Sequence, residues 1–143
     1  YNMIPSQELR IGNYVLADEK LKQITIIDHP SSTATLTMTG ATETSTAHPL
    51  ETIRPVVLTD DILMQCGFLY HDYFKFWQLL ESNEGIRSEM DIDRDYNLID
   101  FMRKPIVKKL TSLHQLQNIY FMLKGKELNY VVKKKAVLDP QVS

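Results

Sequence analysis

Hydrophobic and polar positions alternate with a period of two through much of the first half of the chain, and the period lengthens to that of a helix twice thereafter. Leu9, Ile11 and Val15, set among turn-prone Gly12 and Asn13, predict a first short strand that ends at the polar turn Asp18-Glu19-Lys20. Leu21 to Asp28 is rich in β-branched residues, and the run Ile24-Thr25-Ile26-Ile27 suits a buried strand. His29-Pro30-Ser31-Ser32 breaks it. From Thr33 to Thr39 the alternation is strict. Four threonines point one way while Ala34, Leu36 and Met38 point the other, as in a strand buried on one face. Gly40-Ala41 turns the chain, and Thr42 to Ala47 is expected to return as a weaker strand. Leu50 to Val57 is expected as a further strand, with Pro55 at its edge or end. The Ser/Thr-rich stretch from Ser31 to Thr46 has the composition of a low-complexity segment, but its alternation favours strand-turn-strand.

The period changes at Leu58. Thr59 is placed to cap a helix, Asp60 and Asp61 suit the positive end of its dipole, and Leu58 with Leu63 has the spacing of a hydrophobic staple. Gly67 stops this helix after two turns. An aromatic run, Tyr73-Phe74-Lys75-Phe76-Trp77, then leads to the turn Ser82-Asn83-Glu84-Gly85, which predicts a hairpin whose second strand covers Ile86 to Asp93. Tyr96 to Met102 and Ile106 to Leu110 are expected as two more strands. The last helix is marked at both ends. Ser112 and Gln115 form an S-x-x-Q capping box, Leu113, Leu116, Tyr120 and Leu123 recur at helical spacing with Ile119 beside them, and Lys124 and Gly125 close it. Glu127 to Val132 is expected as a closing strand, and the residues from Lys133 onward as a frayed basic tail.

The opening Glu8-Leu9-Arg10-Ile11-Gly12-Asn13-Tyr14-Val15, the stretch Leu58 to Phe68 and above all the helix block Ser112 to Leu128 resemble an uncharacterised family of small bacterial proteins, often encoded among prophage or mobile-element genes. The resemblance implies an architecture, with a small β-barrel-like unit following the opening segment. That family has no established activity, so no functional residue is carried over. The resulting expectation is an α+β fold. A small N-terminal SH3-like barrel (1–57) packs with an antiparallel sheet that bears one short and one longer helix (58–132), and a flexible basic tail (133–143) follows.

Composition sets limits. The chain has 143 residues, 43% hydrophobic and 24% charged, enough for one ordinary domain with a real core or two very small units sharing one. No apolar run is long enough to cross a bilayer, no signal-peptide pattern opens the chain, and the lone Cys66 provides neither a disulfide framework nor a thiolate cluster. A cytoplasmic location without membrane contact is the expectation. Tyr1 opens the chain with Met3 close behind, which fits a native start at Met3 or further residues upstream. The net charge of −2 hides an asymmetry: residues 1–100 balance to −9 and residues 101–143 to +7. Such a split fits a basic end that neutralises an acidic body, and it also fits a nucleic-acid or acidic-partner surface.

Reactive constellations are hard to find. Asp91, Asp93 and Asp95 occupy the first three ligand positions of a calcium loop, but Tyr96 stands where the loop needs Gly and Met102 where it needs Glu. The three are therefore expected on a solvated strand face. His29, His48, His71 and His114 form no metal-ligand spacing. His71-Asp72 has the composition of a base and its orienting acid, but neighbours in a turn diverge. Cys66, at a helix C-terminus, is expected as a small core residue. Neither a nucleophile elbow, nor a P-loop, nor a dinucleotide-binding glycine fingerprint is present. No enzyme activity, metal or cofactor is expected.

Two features are left as binding surfaces. Arg103, Lys104, Lys108, Lys109, Lys124 and Lys126, with Lys133 to Lys135, make up a basic set. In the aromatic run, strand alternation sends Phe74 and Phe76 into the core and leaves Tyr73, Lys75 and Trp77 on the other face, as a groove. The expected function is a non-enzymatic module of mobile-element origin that binds another protein. The alternative is a nucleic-acid-binding accessory protein using the basic C-terminal third.

Overall fold

The computed structural model describes residues 4–38, 45–80 and 88–131. The expected turn at 82–85, the tail from 133 and the Gly40-Ala41 turn lie outside these residues. The fold is α+β, with two antiparallel sheets and two helices.

The first sheet is a meander of β1 (Tyr14–Ala17), β2 (Lys20–Asp28), β3 (Thr33–Met38) and β4 (Ser45–Pro49). The alternation read in β3 is realised, since Ala34 and Leu36 are buried while Thr33, Thr35 and Thr37 are not. The run in β2 is interrupted by a register shift between Ile24 and Ile26, which buries Ile24 and leaves Ile26 exposed. The described strands do not close into a barrel. Leu50 to Val57 is not a strand: a 3-10 turn covers Leu50–Thr52, and beyond it there are only two isolated bridges, Arg54 to Leu16, across two backbone bonds of 2.8 and 2.9 Å, and Val57 to Ser112. Leu9 and Ile11 likewise lie outside any strand, after a 3-10 turn at Ser6–Glu8.

The second sheet orders β5 (Leu69–His71), β6 (Phe76–Leu80), β7 (Ser88–Asp93), β8 (Leu98–Ile99) and β9 (Pro105–Val107). Helix α1 (Asp60–Gln65) begins as read, with Thr59 Oγ1 accepting from the Ile62 N–H at 3.2 Å and both Leu58 and Leu63 in the core. Helix α2 (Leu113–Lys124) ends at Gly125, whose φ of 73° lets its N–H return to the Phe121 carbonyl. Its start departs from the expected capping box. Gln115 Oε1 instead accepts from the backbone N–H and hydroxyl of Thr111, and the buried Ser112 hydroxyl makes no hydrogen bond. The cause lies in the backbone, which is bridged here to Val57 and sends the Leu113 N–H to the Val56 carbonyl. Leu123, assigned to the buried stripe, is exposed. Leu128 covers the core in its place. Residues 127–131 run past α1 without forming a strand, held by Val131 and Gln65 exchanging two hydrogen bonds.

Two apolar clusters result. One draws on residues between Ile4 and Ile53, the other on residues between Val56 and Leu128, with Tyr14, Leu16 and Leu21 of the first sheet packed against the second cluster.

Candidate functional site

The aromatic run is where the structure departs most from the strand pattern. Residues 72–75 are the turn between β5 and β6, and Lys75 has a φ of 59°, a left-handed conformation that no strand continues through. Alternation therefore restarts at Phe76 in the opposite phase. Trp77 is 6% exposed and packed in the core with Leu79, so only its edge reaches the groove that it lines with Lys75, and it does not stand beside exposed Tyr73. Phe74, expected inside, is 55% exposed, and Phe76 is half-buried on the face opposite Trp77. Tyr73, 86% exposed, stands edge-on to Phe74 with ring centroids 4.9 Å apart.

Arg103 organises this surface. Its guanidinium donates to the Phe74 carbonyl at 2.7 Å and lies over the Phe74 and Phe76 rings, at 5.1 and 4.8 Å. His71 stacks on Phe76 at 4.8 Å and meets Gln78 Oε1 at 2.8 Å, and among the described residues it pairs with no carboxylate. The turn that delivers Arg103 is shaped by Asp100, whose carboxylate accepts from the N–H groups of Met102 and Lys104. That turn also presents Phe101, 90% exposed, and Met102, 63% exposed. Sequence reasoning missed both. The signal was the Asp100 turn itself, which ends the strand expected to run on to Met102.

The basic set does not assemble as one patch. Arg103 and exposed Lys104 belong to the aromatic surface. Lys108 and Lys109 border a separate cavity with Glu8, Leu110, Asn118 and Ile119. Lys126 donates to Glu89 at 2.9 Å, with Lys124 nearby. Burial pushes the Glu89 carboxyl up, but the Tyr120 hydroxyl and Lys126 outweigh it and hold Glu89 below its usual value. Burial and Glu89 together push the Tyr120 phenol up to about 12.

The opening segment and α2 meet in a polar joint. Asn118 Oδ1 accepts from Arg10 Nε at 3.0 Å and from Asn13 Nδ2 at 2.8 Å, and its Nδ2 donates to the Glu8 carbonyl. Gln117 accepts from the Tyr14 N–H and donates to the Gly12 carbonyl. Arg10 also lies over the Phe121 ring and grips Glu127 with both terminal nitrogens. Gly12 has a φ of 102°, and a Cβ there would sit 3.4 Å from the Glu127 carboxylate. His114 Nε2 meets Glu8 Oε1 at 3.2 Å; burial holds the imidazole pKa below its ordinary 6.5, although Glu8 pulls the other way.

Asp91 and Asp93 share one face of β7, but Asp93 is occupied by its own turn, accepting from Asp95 and Asn97. Among the described residues no three His, Cys, Asp or Glu side chains come together as a metal site. Cys66 is buried, and that burial pushes its thiol up to about 12, far from a nucleophilic thiolate. Among the described residues no helix is long and apolar enough to cross a membrane. Comparison with protein-family profiles, curated proteins and solved structures gives no match.

Proposed function

We propose that the chain is a non-catalytic interaction module that docks a partner protein on the aromatic surface around Arg103. The observation that carries this reading is the exposure of Tyr73, Phe74, Phe101 and Met102 on two turns tied together by one arginine. Aromatic residues, Met and Arg are the side chains that interfaces concentrate, and rigid aromatic anchors bind at little cost in conformational entropy. The polar side chains of the two most distinctive sequence blocks support the same reading, because Arg10 and Asn13 bond to Asn118 and Gln117 bonds to the backbone beside Asn13, all within the fold. The mobile-element origin rests on the resemblance of those blocks. The first sheet is best read as SH3-like, supported by its meander order and by the 3-10 turn that returns Arg54 to Leu16.

The test is capture from extracts of the source cell by immobilised wild type and by a Tyr73→Ser/Phe101→Ser variant with an unchanged thermal midpoint. A defined partner retained by the wild type and lost by the variant is expected; identical capture by both contradicts the reading. A mobility shift with nucleic acid that weakens steeply with salt would favour the alternative use of the basic residues instead.

A further inference from the structure

A second site lies on the opposite face of the β5–β6 hairpin. Phe76 and Asp93 pair at one end of β6 and β7, and Lys75 and Arg94 are the next residues beyond that pair, each in a turn. Both line a groove of about 630 Å³ between this rim and α1, a volume within the range of small-molecule sites, roughly 300–1,000 Å³. Neither cation has an ion-pair partner among the described residues. Asp60, which also lines the groove, is engaged by the Tyr96 hydroxyl at 2.6 Å. The remaining walls are Met64 and three aromatic side chains: Tyr70 and Trp77, with ring centroids 5.0 Å apart, and Tyr96 itself.

We propose that this groove binds a planar ring carrying a phosphate monoester, as in a nucleoside monophosphate. The phosphate lies between Lys75 and Arg94, and the ring lies against Tyr70 and the edge of Trp77. A dianion complements two cations that line one groove, and a guanidinium matches phosphate oxygens in pairs. Stacking on aromatic walls is tolerant of which base is bound. No glycine cradle is needed, because side chains and not backbone N–H groups hold the phosphate. The ring phosphate has two sources, a free nucleotide or the 5′ end of a single strand.

Trp77 is the only tryptophan, so its emission reports occupancy directly. Adenosine monophosphate is titrated against the full chain, with adenosine, inorganic phosphate and a short 5′-phosphorylated oligonucleotide in parallel. The expected result is a saturable change with the monophosphate, and binding at least about tenfold weaker for adenosine or phosphate alone. Arg94 is exposed, so Arg94→Ala is expected to fold normally and to weaken binding by about tenfold, while Lys20→Ala on the first sheet leaves it unchanged. Tighter binding of the oligonucleotide than of the monophosphate assigns the site to strand ends; the reverse assigns it to free nucleotides. No saturable change up to roughly millimolar monophosphate, or equal effects of Arg94→Ala and Lys20→Ala, overturns the proposal.

Discussion

Asn13 and Asn118 meet side chain to side chain at 2.8 Å, although 105 positions separate them in the chain. Asn13 is fully buried, and its own Oδ1 accepts from the Arg10 N–H at 2.7 Å, so the contact ties the turn before β1 to the middle of α2. Gln117, Arg10, Glu8 and Glu127 extend the same joint. A joint built this way is stiff. Each member satisfies another, and a single truncation leaves buried donors without acceptors, at about 1–3 kcal/mol for each group.

Trp77 and Phe101 are predicted to behave oppositely. Trp77→Ala removes a core ring and is expected to cost about 3–5 kcal/mol, seen as a lower urea midpoint. Phe101→Ser removes an exposed ring and is expected to stay within about 0.5 kcal/mol of the wild type. A midpoint loss for Phe101→Ser as large as that for Trp77→Ala would mean that the exposed turn is packed after all.

The two helix caps are predicted to differ in sign. Thr59→Ala deletes a working cap and is expected to destabilise by about 1 kcal/mol. Ser112→Ala deletes a buried hydroxyl that makes no hydrogen bond, and is expected to be neutral or to stabilise by up to about 1 kcal/mol. Thermal unfolding of the two variants side by side decides this, and equal losses would show that Ser112 caps α2.

His114 sets a pH dependence. Its folded pKa lies below the ordinary 6.5, chiefly through burial, so the unfolded chain binds the proton more readily. The contribution is fully present above about pH 6.5 and is lost as the pH falls from there through the folded value. His114→Gln is expected to flatten the stability profile over that interval, measured as urea midpoints at a series of pH values. A wild-type profile that rises as the pH falls through this interval, and that His114→Gln flattens, would reverse the sign.

Much of this fold was legible because local rules and tertiary packing agree. The Thr/Ala/Leu alternation of β3, the Thr59 cap and the Gly125 stop all stand where the pattern placed them. Legibility failed where one backbone angle resets the pattern. Lys75, left-handed in its turn, inverts the phase of β6 after it, which hid Trp77 in the core, while Phe74 lies within the turn and is exposed. It failed again where a distant segment claims the backbone, as Val56 and Val57 do at Leu113 and Ser112. The aromatic surface was half visible, through Tyr73 and Arg103. Arg103 had been grouped with lysines by charge, when its position is set by the rings beneath it. The polar joint was not legible at all, because nothing in the composition of Arg10-Ile11-Gly12-Asn13 names its partners on α2.

The most direct measurement is a double-mutant cycle across the joint: urea unfolding of Asn13→Ala, Asn118→Ala and the pair together. If these side chains serve to lock the first sheet onto α2, each single change lowers the midpoint and the double falls short of their sum, with a coupling of roughly 1–2 kcal/mol. Strict additivity, or single variants as stable as the wild type, would show that the two sequence blocks are kept together for something other than structure.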